Sequence, residues 1–552
     1  MATTPSIAMI PSGYQAEKIY SVLPTNGDAD LNFSRSGVAN RINSDGLIEE
    51  MAINVPRLDY SDGTCPSLLL EPQSTNLITY PLSFGNSYWT KSGASIEGDA
   101  STAGAELITL QNDREFTTTV GNWAGYNGAT ILWQSVGRVD VTMNTGAPAW
   151  SGITLPNSAL SSTPVVGNIY KLEIELEQGN AFVNNIRIDF GGATQDVTIG
   201  ANQVFTVYLK AISTSQLYVY AVPDENAKFW LIRSVSVKEV QGFSSPSVDN
   251  PLGAFKLVEG SNNGNHKLFK SGVTITSGIK NTHYFYAKAG GRNWVRLTND
   301  NMFSSSAYFD LSNGVVGTVT GLSAEIKSLV NGWYKCSVTY LTTTTDSYPV
   351  IQLASADNST SYQGDGTSGV YIFGAQLEAL PYATSLMLPA TEGSTVTRVA
   401  ETASKSGLSS EIGQTEGTIF IDFNVSNVSP KFIFSLDDGG ISDFILLDTT
   451  PVNEIGLKIR QSSGSITRVI LGNVLSIGNH KIGVNYKSGD YSLYVDGNLE
   501  GTSTSTLFPS GIIGRLSVGG NSSYGNLSDT VNDFKLYNTR LSNSELQALT
   551  QV

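Results

Sequence analysis

Short stretches in which apolar and polar residues alternate with a period of two run through this chain, and they restrict it to one class of fold. In Tyr170-Lys-Leu-Glu-Ile-Glu-Leu-Glu177, Tyr170, Leu172, Ile174 and Leu176 fall on one side and the charged residues on the other. An extended strand turns successive side chains to opposite faces, so the segment reads as a strand with one face in a core and one in water. His283, Phe285 and Ala287 alternate in the same way with Tyr284, Tyr286 and Lys288, and Asn331–Tyr340 around Trp333 is a further case. Charged residues make up only 15 % of the chain, while Gly, Ser, Thr and Asn fill the connecting stretches. At 552 residues this length exceeds what one core supports, so an all-β chain of several β-sandwich domains is expected.

An internal repeat sets the expected order of those domains. Asn86–Glu97 and Asn122–Gln134 each begin with an aromatic, a glycine turn and a strand, while Lys228–Val240 and Gly369–Ala379 read as two similar closing strands. The order open, open, close, close is that of one jelly roll inserted into a loop of another, because each needs both its opening and closing strands to complete two sheets. The outer jelly-roll module is therefore placed at 78–100 plus 247–385 and the inserted one at 101–246. The Pro- and Ser-bearing Gly242–Gly253 stretch is the return linker. Residues 386–412 read as a linker and 413–552 as a final sandwich, through Gly417-Thr-Ile-Phe-Ile-Asp-Phe423, His480–Tyr486, Tyr491–Gly497 and Val531–Leu546. In the last of these Ser542 stands three residues before Glu545, the spacing of a helix capping box.

Residues 1–77 have a different character. The first 32 residues are polar, Pro-bearing and weakly patterned, and are expected to form an extended arm that docks on another protein. A hairpin turn is expected at Asn43–Gly46, between Ile42 and Leu47-Ile48. The residues Arg41, Asn43, Asp45, Gly46, Leu47, Ile48 and Glu49 are followed by Pro56-Arg57, Asp59-Tyr60, Glu71-Pro72 and Thr75-Asn76-Leu77. This succession resembles a module of tailed-bacteriophage structural proteins. The two nested modules resemble carbohydrate-binding jelly rolls, and the segment from Gly413 onward resembles a concanavalin A-like, laminin-G-like domain. These resemblances imply a virion fibre or appendage, on head or tail, anchored to other virion proteins through its N-terminal region. They also imply a homo-oligomer, with a trimer expected, displaying modules toward cell-surface glycans. A tailspike-like polysaccharide depolymerase is the alternative.

Composition narrows the partners. A net charge of −15 and a pI near 4.7 disfavour nucleic acid, which is held by clustered Lys and Arg. The opening Met1–Pro11 lacks the basic start and apolar run of a secretion signal, and no run is long enough to span a bilayer. Cys65 and Cys336 are too few for a disulfide framework and read as free thiols. An extracellular-looking β protein without these export features fits assembly in a bacterial cytoplasm and release by lysis into a virion.

Motifs with chemical meaning are few. Gly364-Asp-Gly-Thr-Ser-Gly369 matches a dinucleotide-binding string but precedes a strand instead of opening a helix, and so reads as a turn. Asp437-Asp438 with Asp443, and Asp357 with Asp365, offer calcium-type oxygens but no ligand ladder, and read as solvated acidic turns. His283 and His480 fall on apolar sides of strands and read as satisfied core or edge residues. No catalytic residue is assigned, no cofactor is implied, and the metal and ligand positions stay open. Of the seven tryptophans, Trp230 and Trp333 read as core. Trp150 and Trp294, near loops, are the better candidates for sugar platforms, but each reads first as a structural residue and neither is assigned as a site.

Overall fold

The computed structural model describes the chain apart from residues 1–2, 11, 62, 64, 99–102, 145–149, 167, 180–184, 222–228, 241, 300, 302–304, 522–524 and 528. It is all-β: strands follow one another from Ile7–Met9 to Asp529–Tyr537, and the described α-helices are the short Gln111–Glu115 and Asn543–Leu549. The chain divides into two compact units, Met1–Glu97 with Ser245–Val552, and Gly98–Ser244. The expected module boundary at 100/101 lies outside the described residues.

The second unit is a two-layer sandwich. One sheet has the order Ala129–Ser135, Arg138–Met143, Phe229–Val240, Ile169–Gln178, Gln203–Lys210. The other has the order Ala124–Tyr126, Gly152–Leu155, Leu217–Ala221, Asn185–Phe190, Ala193–Thr198. Tyr170, Leu172, Ile174 and Leu176 enter the core together with Trp230, Ile188 and Val219, as their alternation requires. Lys228, the first residue of the expected closing strand, lies outside the described residues.

A sandwich of the same plan forms part of the first unit. One sheet runs Ala94–Glu97, Phe255–Glu259, Gly369–Glu378, Lys280–Gly290, Tyr334–Leu341, Ser323–Ser328. The facing sheet runs Thr90–Ser92, Lys267–Phe269, Pro349–Ala354, Trp294–Asn299, Ser306–Asp310, Val315–Thr320. Ala94–Glu97 pairs directly with Phe255–Glu259, with Ala94 opposite Glu259. In the Gly98–Ser244 unit the corresponding pair, Ala129–Ser135 and Arg138–Met143, is a hairpin turned at Val136-Gly137. A whole sandwich thus stands in sequence where its counterpart has two residues. Each module opens on a buried tryptophan whose indole N–H caps an earlier carbonyl: Trp89 donates to Tyr80 at 3.0 Å and Trp123 to Asp113 at 2.8 Å.

The remaining sandwich of the first unit differs from expectation at its edges. Its central strand Asp529–Tyr537 pairs on one side with Glu416–Val425 and on the other with both Ile7–Met9 and Ser67–Leu70. In the opposite sheet Leu31–Ser34 pairs with Thr402–Ser406, which pairs in turn with Arg515–Val518. The N-terminal residues expected as an extended arm docking on another protein therefore complete this sandwich, and it takes in strand residues before 413. The physical cause is apolar burial: Ile7, Met9, Ile19, Leu31, Phe33, Leu68 and Leu70 join one core with Ile419, Phe434, Leu516 and Phe534. The hairpin at Asn43–Gly46 is present, with Ile42 opposite Ile48 and Gly46 at φ +74°. The capping box at Ser542 and Glu545 is also formed.

Candidate binding face

Polar and aromatic side chains gather at two contrasting places among the described residues, a buried junction and an open sheet face. The first is a junction inside the Met1–Glu97/Ser245–Val552 unit, where Arg57, Glu71 and Asn76 meet Arg35, Glu378, Thr384, Arg398 and Glu401. Glu401 accepts from Arg35 Nη1 at 2.8 Å, from Arg57 Nε at 2.8 Å and from Arg57 Nη2. Glu71 accepts from Arg57 Nη1 at 2.8 Å and Arg398 Nη1 at 3.0 Å. Arg398 also reaches Thr384 Oγ1, which donates to Glu378 at 2.7 Å, so three guanidinium groups face three carboxylates. All of these residues are buried. Burial by itself pushes the Glu71 carboxyl up; Arg398 and Arg57, with two hydrogen bonds from Ser385, outweigh it and hold it down at about 2. Asn76 closes the same junction, donating to the Ala375 and Met387 carbonyls and accepting from Ile78 and Leu377 N–H.

A cleft of about 670 Å³ borders this junction, lined by Arg41, Asp59, Tyr286, Lys335, Thr384 and Leu386 among others. Its polar groups are already engaged within the protein. Arg41 pairs with Glu49 at 2.8 Å, Asp59 accepts from Ile42 and Ser61 N–H, and Lys335 Nζ donates to the Thr384 carbonyl at 2.7 Å. Lys335 also stands 4.2 Å over the Tyr284 ring, and desolvation lowers its ammonium to about 8. The motif residues Arg41, Arg57, Asp59 and Glu71 are thus engaged with groups of the protein itself.

The second place is the outward face of the Ala124–Tyr126/Gly152–Leu155/Leu217–Ala221/Asn185–Phe190/Ala193–Thr198 sheet. Because Ile153, Val219, Ile186 and Ile188 point into the core, Tyr218, Tyr220, Arg187 and Asp189 must point out. The registers align Tyr126, Gly152, Tyr220, Arg187 and Asp196 in one row across the strands. A Cβ on Gly152 would come within 2.5 Å of the Tyr220 Cβ, so glycine leaves room for Tyr126 and Tyr220 to approach with ring centroids 6.3 Å apart. Tyr126 meets Tyr218 at 5.0 Å and Trp150 meets Tyr220 edge-on at 5.6 Å. Arg187 lies 4.4 Å over the Trp150 ring. It also forms a two-pronged pair with Asp196 at 2.6 and 2.8 Å.

The electrostatics of this face are divided. Burial raises the Asp189 carboxyl, moderated by the hydrogen bond from Tyr220. The Tyr220 hydroxyl is pushed up to about 12 by burial and by Asp189. The Arg187 hydrogen bonds hold Asp196 below the ordinary carboxylate range. Tyr126, Trp150, Tyr218, Tyr220 and Arg187 are all half-buried, leaving aromatic surface within reach of a ligand. Trp150 sits at φ +66°, a conformation costly for a bulky side chain by about 1–3 kcal/mol, and such residues cluster at functional sites.

The other candidate residues fall elsewhere. Trp294 lies on the corresponding face of the outer module, where a Cβ on Gly317 would meet its ring at 2.7 Å; Trp230 and Trp333 are buried. Gly364–Gly369 is a turn leading into strand Gly369–Glu378. Asp437 and Asp443 are buried rather than solvated: Asp437 accepts from Arg515 at 2.7 Å and Ser435 at 2.8 Å, and Asp443 from Ser510 N–H at 2.7 Å. Asp357 and Asp365 are exposed; Asp357 accepts from Thr318 N–H on the strand Val315–Thr320, and Asp365 caps its own turn through Thr367 and Ser368 N–H. His480 is satisfied by Asp496 at 2.7 Å and the Ser476 carbonyl at 2.9 Å. His283 departs from expectation. It is fully buried, neither ring nitrogen has a hydrogen-bond partner among the described residues, and desolvation lowers it to about 3, so it stays neutral. Among the described residues no three His, Cys, Asp or Glu side chains converge as a metal site, and Cys65 and Cys336 are free.

Tyr126, Tyr218, Tyr220 and Arg187 escaped sequence reasoning because they are spread over strands far apart in the chain. The available signal was the alternation of Leu217-Tyr-Val-Tyr-Ala221, with two tyrosines on the polar side.

No protein-family model matches the chain, and no curated protein matches it. Among solved structures, similarity extends to an IT-sialidase CBM40 of Ruminococcus gnavus, at 18 % identity and a TM-score of 0.22, covering 25 % of this chain and 84 % of that one. Domain 4 of AbnA, an extracellular arabinanase of Geobacillus stearothermophilus, gives 12 % identity and a TM-score of 0.23, over 31 % and 82 % of the two chains. A heptameric SAP-like pentraxin of Limulus polyphemus gives 11 % identity and a TM-score of 0.21, over 24 % and 68 %.

Proposed function

We propose that this chain is a non-enzymatic structural component of a bacteriophage particle, a head or tail fibre or appendage that displays β-sandwich modules for adhesion to host-surface glycans. The observation that carries the adhesive role is the half-buried face of Trp150, Tyr126, Tyr218 and Tyr220. A pyranose ring lays its C–H face on such rings, and their polar tips meet its hydroxyls. The virion role is supported by the resemblance of Arg41–Leu77 to a tailed-phage module. The attachment surface to other virion proteins then belongs to the N-terminal strands together with the sandwich they complete. Single sugar contacts are weak, and display as a homotrimer in many copies would supply avidity. Electron microscopy of particles assembled without this protein should lack a projection; fully decorated particles would overturn the reading.

One observation favours the depolymerase alternative. Asp189 and Asp196 share the aromatic face, and their acidities are shifted in opposite directions, as in an acid and ionised-carboxylate pair. Against it, Asp196 spends both oxygens on Arg187. Incubation with host capsule should release no reducing ends; progressive release would establish the enzyme.

A further inference from the structure

Resting on the glycan-adhesion reading, we infer that the Trp150 face takes neutral pyranose sugars and discriminates against acidic ones. Among the described residues of the sheet the one cation on this face is Arg187, and it is already paired: its Nε and Nη2 donate to the two oxygens of Asp196 at 2.6 and 2.8 Å. Its remaining charge lies over the Trp150 ring at 4.4 Å. Asp189, one hydrogen bond from Tyr220 at 3.3 Å, adds a second carboxylate. Among the described residues, one guanidinium and two carboxylates give the face a net negative sign, in a chain whose total charge is −15. A uronate or sialate carboxylate brought here would meet no uncompensated cation and would lose its own hydration.

A neutral sugar finds matching groups instead. Among the described residues no protein acceptor meets the Tyr126 and Tyr218 hydroxyls or the Trp150 indole N–H, and all three residues are half-buried. Donors of this kind beside carboxylate acceptors suit vicinal hydroxyls, which donate and accept at once. The rings supply the apolar surface for the C–H face.

The contrast with the outer module supports a built site. There the equivalent row is Tyr308, Arg296, Gln352 and Lys267. Arg296 hydrogen-bonds Gln352 at 2.8 Å, and Gln352, Val350, Ala354 and Tyr308 are buried. Both sheets keep the arginine, but Tyr308, the ring in the row of Arg296, is buried, whereas Tyr126 and Tyr220 in the row of Arg187 are half-buried.

The test is binding of the labelled full-length chain to an array carrying matched neutral and acidic glycans, lactose beside sialyllactose and neutral trisaccharides beside oligogalacturonates. Neutral glycans should be retained and their acidic partners bound at least about tenfold more weakly. Tyr126→Ser and Trp150→Ala, checked for folding by circular dichroism, should each weaken the neutral signal about tenfold, the scale of one lost aromatic contact. Asp196→Asn should move the preference toward acidic glycans by freeing Arg187. Preference of the wild-type chain for acidic glycans, abolished by Tyr126→Ser, would overturn the neutral class while leaving glycan adhesion standing. Absence of binding to every glycan, or binding indifferent to both aromatic substitutions, would overturn the site itself.

Discussion

The junction around Arg57 and the face around Arg187 are assembled from the same side-chain types, yet their surroundings assign them opposite work. At the junction, arginines and carboxylates are buried and each guanidinium meets carboxylate or carbonyl oxygens, among them the Asn40 carbonyl that accepts from Arg57 at 2.7 Å. Low dielectric makes such a cluster expensive to disturb. On the Trp150 face the Arg187–Asp196 ion pair, with side-chain exposures of 29 % and 46 %, stands in water beside half-buried rings, where an ion pair contributes little to stability. On the proposed reading of the Trp150 face, stability and recognition are kept apart: the polar groups of the junction are engaged in a buried cluster, and those of the face are half-exposed.

The largest test of this separation is at the junction. Glu401→Ala strands Arg35 and Arg57 without their shared acceptor and should cost about 3–5 kcal/mol, seen as a lower denaturant midpoint. Glycan retention measured well below the new midpoint should be unchanged; loss of retention would break the comparison. Next comes acid. The folded Glu71 carboxyl lies at about 2 against an ordinary 4.5, so its contribution is complete above pH 4.5 and is lost as pH falls toward 2. The loss is on the order of 3 kcal/mol. Buried neutral His283, at about 3 against 6.5, begins the same trend earlier, because only the unfolded chain binds its proton between those values. Thermal scans should show melting falling from pH 6.5 downward, with His283→Leu flattening the upper part and Glu71→Gln the lower.

Smaller effects sharpen the contrast between the two arginines that share one sheet position. Arg296→Ala leaves the buried Gln352 Oε1 without its donor and should cost about 1–3 kcal/mol. The same change at Arg187 should cost less than about 1 kcal/mol, since its partner Asp196 can turn to water. Equal costs by urea titration would mean that the inner face is structural after all. Smallest of all should be Trp150→Gly. Glycine accepts φ +66° without strain, so the loss of packing is partly offset and stability should move by no more than about 1 kcal/mol. A larger drop would show that Trp150 is a packing residue.

Alternation and turn chemistry alone made the β-sandwich class, the Asn43–Gly46 hairpin and the Ser542–Glu545 cap legible, because each depends on residues a few positions apart. A period of two fixes which side of Ile169–Gln178 is buried wherever that strand lies in the chain. Partnership over long separations was not legible. Ile7 opposite Leu536, Arg57 on Glu401, and Trp150 beneath Arg187 join residues that share no local pattern. Two strands with equally good apolar faces compete for any open sheet edge, and only packing of the whole core selects between them. Hence the chain's own pattern settled that strands form and which way they face. Tertiary structure alone decided that the N-terminal segment is built into the last sandwich, and that four aromatic rings and one arginine meet on a single open face.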